Sequence, residues 1–147
     1  MSEKRNVGYI GLGNIGKPSA MRLIREPFHA HVYDVFAPAV QELVEAGATG
    51  CDSVAQLAAA CTHIGICVRD DEQVQGLLDG AGGIFANARP GTLIAIHSTV
   101  TQANLLRWNA QAASLGFDLI DAPITGGAHK AVDGALCYMV GGTAEQL

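Results

Sequence analysis

The 147 residues suit one domain, and a composition 49% hydrophobic and 16% charged fits a packed core and excludes a disordered chain. The formal net charge is −5 and the nine Lys and Arg are scattered, so the chain lacks the basic stripe needed to neutralise a phosphate backbone, which argues against nucleic acid as a partner. After Met1, the polar residues Ser2, Glu3, Lys4, Arg5 and Asn6 lead straight into an apolar run, and no stretch is of signal-peptide type or long enough to span a bilayer, so a cytoplasmic protein with no membrane partner is expected.

Val7-Gly8-Tyr9-Ile10 predicts a first strand, and it runs into the turn Gly11-Leu12-Gly13-Asn14-Ile15-Gly16. A helix is predicted from Ile15 to Ile24, with Ile15, Ala20, Leu23 and Ile24 on one face and Pro18 near the first turn, where a missing N–H costs little. His29 to Val35 reads as the second strand. Ala37 to Ala46 reads as a helix with Val40, Leu43 and Val44 inward, stopped by Gly47. Ser53 is placed to cap a short helix through Ala60, and His63 to Val68 is the continuous apolar run of a parallel strand covered on both faces. Asp70 or Asp71 can cap the next helix, through Leu78. The glycine-rich tract Gly80 to Gly91 closes on the turn Arg89-Pro90-Gly91, which leads into a strand over Thr92 to Ile96. Thr101 to Ser114 predicts a helix and Gly116 to Ile120 a strand. Asp121 to Gly127 then reads as a loop, and Ala135 to Val140 as a last strand with no helix before it, antiparallel at a sheet edge.

Strand and helix alternate for most of this length, which predicts an α/β fold: a Rossmann-type, doubly wound, mostly parallel sheet with helices on both faces, filling residues 1–147 as one domain. In such a sheet the ligand crevice lies beyond the carboxyl ends of the strands. The G-x-G-x-x-G turn follows a strand and opens a helix, and Asp34 stands at the end of the second strand. This is the context that makes the spacing a dinucleotide-binding signature. Gly11 allows the tight turn, Gly13 admits a pyrophosphate to the backbone, and Gly16 lets helix and strand pack closely, while Leu12, Asn14 and Ile15 complete the loop. Asp34 accepts from both ribose hydroxyls and repels a 2′-phosphate, so the expected cofactor is NAD rather than NADP. Val35, Cys67, Val68 and Arg69 lie on the same sheet edge and join the predicted cofactor contacts; for Arg69 the other reading is a surface ion pair with Asp70 or Asp71.

Ser98 and Thr99 end a buried strand, where a hydroxyl reaches either the crevice or, with Thr101, the start of the next helix. Thr125-Gly126-Gly127 offers a hydroxyl and successive N–H groups, as an anion-binding nest or a plain loop, and Lys130 reads as a solvated surface lysine. Cys51, Cys61, Cys67 and Cys137 show no C-x-x-C pair and read as buried free thiols. The five histidines form no metal-ligand pattern, although His29 and His31 share a strand face; no metal site is expected.

Four segments together resemble the β-hydroxyacid dehydrogenase family, which includes 3-hydroxyisobutyrate dehydrogenase and tartronate semialdehyde reductase, with 6-phosphogluconate dehydrogenase more distant. They are Gly8 to Pro18, His97-Ser98-Thr99, Asp121-Ala122-Pro123-Ile124-Thr125-Gly126-Gly127 and Met139-Val140-Gly141-Gly142. The resemblance implies a first domain that binds NAD(P) and a second, all-helical domain that carries the proton-transferring lysine. No lysine here lies in that family's later G-x-x-x-K-x-x-x-N motif, so no catalytic residue is assigned up to Leu147 and the C-terminal helical domain is expected to be missing. The resemblance places Ser98 beside nicotinamide and substrate, and Thr125, Gly126 and Gly127 on the carboxylate of a small hydroxy acid. It also implies a homo-oligomeric full-length parent. Thr125 stands where relatives carry serine, Arg69 where many have proline, and His97 where they often have serine. Two alternatives stay open: a stand-alone, non-catalytic NAD-binding module, and the cofactor domain of an imine reductase.

Overall fold

The computed structural model describes residues 3–147; Met1 and Ser2 of the polar lead-in lie outside the described residues. Six strands form one wholly parallel sheet: β1 (Arg5–Ile10), β2 (Phe28–Tyr33), β3 (Thr49–Gly50), β4 (His63–Ile66), β5 (Leu93–Ile96) and β6 (Asp118–Asp121). Their order is β3-β2-β1-β4-β5-β6. The chain builds outward from β1 to β3, then returns across β1 to build the other way, so the winding reverses between β1 and β4. That is where the carboxyl ends of a doubly wound sheet open a crevice.

The sheet carries a core on each face. Ile10, Ile64, Ile66, Ile94, Ile96 and Leu119 pack with Leu57, Leu78, Ile84 and Trp108, under α3 (Val54–Ala60), α4 (Asp71–Leu78), α5 (Ile84–Asn87) and α6 (Gln102–Ser114). Tyr9, Ala30 and Val32 face the other way, onto Ala20, Ala39 and Leu43 of α1 (Gly16–Met21) and α2 (Ala37–Glu45). Three helix starts, of α3, α4 and α6, follow side-chain chemistry: Ser53, Asp70 and Thr101 accept the backbone N–H of Gln56, Gln73 and Asn104 respectively. Ser53 is therefore the cap expected from sequence, and Asp70 rather than Asp71 caps α4. No helix among the described residues is long and apolar enough to cross a membrane.

Three expectations are corrected. The first helix stops at Met21, because Arg22, Leu23 and Ile24 bond three residues back and turn the chain so that Leu23 and Ile24 still reach the core. The segment after β6 is not a loop followed by a long strand. It holds β7 (Ile124–Thr125), α7 (Gly127–Asp133) and β8 (Cys137–Tyr138), so a helix does intervene. The antiparallel direction holds, but β8 pairs with β7 in a separate two-stranded sheet and only Gly141 bridges back to Asp121 of β6. The positive φ of Gly126, Gly127 and Gly134, which L side chains rarely adopt, permits the tight bends that bound α7. Cys137, finally, is exposed rather than buried, while Cys51 and Cys61 are buried and all four thiols are free.

Candidate nucleotide-binding site

A crevice of ≈ 820 Å³ opens at the carboxyl ends of β1, β2 and β4, where the winding reverses. Gly11, Gly13, Asn14, Ile15, Gly16, Asp34, Val35, Cys67, Val68 and Arg69 line it, which is the predicted cofactor set except for Leu12 and Ser98.

The three glycines divide their work. Gly11 has φ of +96°, and a Cβ there would sit 2.0 Å from the carbonyl oxygen of Cys67. At Gly16 a Cβ would sit 1.9 Å from the carbonyl oxygen of Gly11. Both positions are glycine because protein backbone occupies the space a side chain would need. Gly13 differs: a Cβ would meet nothing within 4 Å, so no protein atom requires its absence. The bare backbone there borders open crevice, at the opening of α1, where unpaired N–H groups favour an anion.

Asp34 is fixed on both sides. Its Oδ2 accepts the Leu12 N–H at 2.6 Å and its Oδ1 accepts the Phe36 N–H at 2.7 Å, so one carboxylate ties the glycine turn to the end of β2. Each oxygen keeps capacity for a further donor. Leu12 thus takes part through its amide while its side chain is buried. Lys17 is held by Glu42 at 2.7 Å. Arg69 makes no ion pair with Asp70 or Asp71 among the described residues: Asp70 caps α4, and Asp71 accepts from the backbone and hydroxyl of Thr101 and from Asn104. The surface-pair reading of Arg69 is thereby removed, and the residue lines the crevice.

Ser98 is buried, and its Oγ accepts the Val68 N–H at 2.9 Å, so it braces the crevice from behind while Thr101 caps α6. Thr125 and Gly127 are exposed at the junction of β7 and α7, and neither they nor Gly126 belong to the crevice lining. His29 and His31 do share a face, with ring centroids 4.7 Å apart. Their ring nitrogens are engaged by Thr49 and Asn6, and burial and the neighbouring His29 push the His31 imidazole down. Sequence reading missed Ile10, Tyr33, Gln73, Gly76 and Leu77, which complete the lining. Only Gly76 carried a signal, as a glycine inside a helix where alanine is better by about 1 kcal/mol.

The open backbone at Gly13, the helix start beside it and the anchored carboxylate are the parts a dinucleotide needs, and comparison with known proteins agrees. An uncharacterized oxidoreductase of Mycobacterium tuberculosis is 41% identical over 143 residues, 97% of this chain and 48% of that protein. The 2-(hydroxymethyl)glutarate dehydrogenase of Eubacterium barkeri is 33% identical over 141 residues, 96% of this chain and 47% of the relative. Among solved structures, the 3-hydroxyisobutyrate dehydrogenase of Mycobacterium tuberculosis with L-serine superposes with a TM-score of 0.90 at 26% identity, covering 97% of this chain and 48% of that one. The chain therefore spans about half the length of the curated relatives it matches. Residues 6–147 match the family model described as the NAD binding domain of 6-phosphogluconate dehydrogenase, and it is to this family of NAD-binding domains that the chain belongs.

Proposed function

We propose that this chain is the cofactor-binding part of a β-hydroxyacid dehydrogenase that moves a hydride between NAD(H) and a short 3-hydroxy acid or its semialdehyde. The observation that carries the reading is the open backbone at Gly13 beside a carboxylate already held in place at Asp34. When bound, the nicotinamide supplies the hydride chemistry. The chain supplies binding and orientation. Amides at the opening of α1 face the diphosphate, with Gly11, Leu12, Gly13, Asn14, Ile15 and Gly16 as the cradle. Asp34 accepts from the ribose hydroxyls and repels a 2′-phosphate, and Val35, 91% exposed beside it, offers apolar surface rather than a cation, which favours NAD over NADP. Cys67, Val68 and Arg69 form the opposite wall.

Ser98 lies behind that wall, toward nicotinamide and substrate, and Thr125, Gly126 and Gly127 hold the substrate carboxylate. The proton-transferring lysine belongs to a helical domain outside these residues, for which the greater length of the relatives leaves room, and the parent is a homo-oligomer. Alone, the chain binds NAD and turns over little or nothing.

Calorimetric titration of the chain with NAD⁺ and NADP⁺ tests the proposal. NAD⁺ is expected to bind at least about tenfold, ~1.4 kcal/mol, more tightly, and Asp34→Ala to remove most of that difference. Absence of heat with either nucleotide, together with an Asp34→Ala variant indistinguishable from the parent, overturns it. A tenfold preference for NADP⁺, roughly 1.4 kcal/mol, overturns the choice of cofactor alone.

A further inference from the structure

We propose that His97 is a positioning residue that fixes the Asp121–Gly127 turn to the nucleotide-binding half of the molecule, through one hydrogen bond and two ring contacts. The functional weight of the inference rests on the reading of Thr125, Gly126 and Gly127 as substrate-holding groups.

His97 follows β5 directly, and its Nδ1 lies 2.9 Å from the carbonyl oxygen of Ala122. A carbonyl only accepts, so Nδ1 carries the proton and donates. Burial pushes the imidazole below its ordinary range, which keeps the ring neutral and leaves Nε2 unprotonated. The ring stacks on Tyr9, with centroids 5.8 Å apart and planes 15° apart, and meets Tyr138 edge-on at 5.4 Å and 72°. Space for this comes from Gly65, where a Cβ would sit 3.0 Å from Nε2 of His97 and 3.2 Å from Cδ2 of Tyr9. A single side chain thus touches β1 just before the glycine turn, the chain leaving β6, and β8.

The need for such a group follows from where the β5–β6 ladder ends. Ala122 still donates its N–H to the Ile96 carbonyl at 2.9 Å, as the last rung of the parallel ladder. Beyond it the ladder stops: the next rung would bring the Ser98 N–H onto the Ala122 carbonyl, and that carbonyl takes its donor from the His97 ring instead. The other hydrogen bonds of the segment are Met139 N–H to the Pro123 carbonyl, the mutual pair of Asp121 and Gly141, and, on α7, the Arg22 guanidinium donating to the Val132 carbonyl. Those ties set where the segment sits, whereas His97 orients the peptide that enters the turn and links it to Tyr9. A substrate carboxylate then meets a turn that is already ordered.

Variants of the whole chain separate hydrogen bond from ring. His97→Phe keeps an aromatic ring without the donor, and His97→Asn keeps a donor of similar reach without the ring. Amide hydrogen exchange of His97→Phe is expected to speed up roughly tenfold or more at Ala122, Ile124 and Thr125, while β1, β2 and β4 keep their protection and NAD⁺ affinity stays within about twofold. His97→Asn is expected to recover part of the lost protection. In the unaltered chain, nitrogen-15 spectra of the imidazole are expected to show a slowly exchanging Nδ1–H and an unprotonated Nε2, a signature that does not depend on any variant folding. Unchanged exchange in the turn, failure of His97→Asn to differ from His97→Phe, a uniform loss of protection across the sheet, or an Nε2-protonated ring each overturns the proposal. If NAD⁺ does not bind the unaltered chain, the nucleotide reading falls separately, and the exchange data still decide the role of His97.

Discussion

Gly13 and Gly16 sit in one turn and are glycine for opposite reasons, which makes them a sharp pair to exchange. A methyl group on Gly16 would lie 1.9 Å from the Gly11 carbonyl oxygen, so backbone must move to admit it. Gly16→Ala is expected to destabilise the chain by about 1–3 kcal/mol, read from the urea midpoint. A methyl group on Gly13 meets no protein atom within 4 Å. Gly13→Ala is therefore expected to leave stability within about 0.5 kcal/mol while weakening NAD⁺ at least tenfold, ~1.4 kcal/mol, in calorimetry. If Gly13→Ala destabilises the chain as much as Gly16→Ala does yet binds NAD⁺ as before, the division of labour drawn here is wrong. The motif separated the two residues in sequence, and the structure supplies the physical difference: protein crowds Gly16, whereas Gly13 faces open space.

At the scale of elements, α4 and α6 are cross-linked by side chains on their facing sides. Gln75 Oε1 accepts from the fully buried Trp108 indole at 2.6 Å and from Arg107 at 2.8 Å; its amide nitrogen donates to Asp79, which also accepts from Gln111 at 3.0 Å. Gln75→Leu strands a buried indole N–H and is expected to cost about 1–3 kcal/mol in urea unfolding, with NAD⁺ affinity within about twofold because Gln75 faces α6 and not the crevice. Unchanged stability would show that water satisfies the indole instead. These helices were legible because each spans enough turns for apolar periodicity and starts at a capping residue. The same reasoning failed on β3, α5, β7 and α7. Two-residue strands have no period to read, and of α5 and α7 only Ile84 and Ala131 are buried. The site divides similarly. Gly11 to Gly16 and Asp34 are tied to local chain geometry and announce themselves, whereas Gln73 and Leu77 line the crevice only because the sheet order sets α4 around the same opening as the ends of β1 and β2. Periodicity reports which face of α4 packs on the core, through Val74 and Leu78, but not what the remaining faces overlook.

The molecule as a whole should be most stable in a window set by groups that the fold keeps neutral. Burial holds His97 below 6.5, and burial with the neighbouring His29 does the same for His31. A histidine depressed in this way binds its proton more readily once unfolded, so its contribution is fully present above 6.5 and is lost as pH falls toward the folded value. The rings against His97 are Tyr9, stacked, and Tyr138, edge-on, and the ring beside His31 is His29; none of these side chains is a carboxylate that could pair with an added proton. Asp121 works the other way. Its carboxyl is raised by burial, and protonation there relieves part of the acid loss only as pH approaches the carboxylate range. On the alkaline side, burial raises Cys51 and Cys67, and pushes Cys61 up to about 12 from 9.0. The unfolded thiols ionise first, so stability present below 9.0 is lost as pH rises past it. Urea midpoints measured between about pH 5 and pH 10 are expected to form a plateau with falling limbs on both sides. His97→Phe should flatten the acid limb and leave the alkaline one unchanged, since only the former depends on keeping an imidazole uncharged among rings. An acid limb as steep in His97→Phe as in the unaltered chain would assign the loss to His31, or to groups outside the aromatic stack.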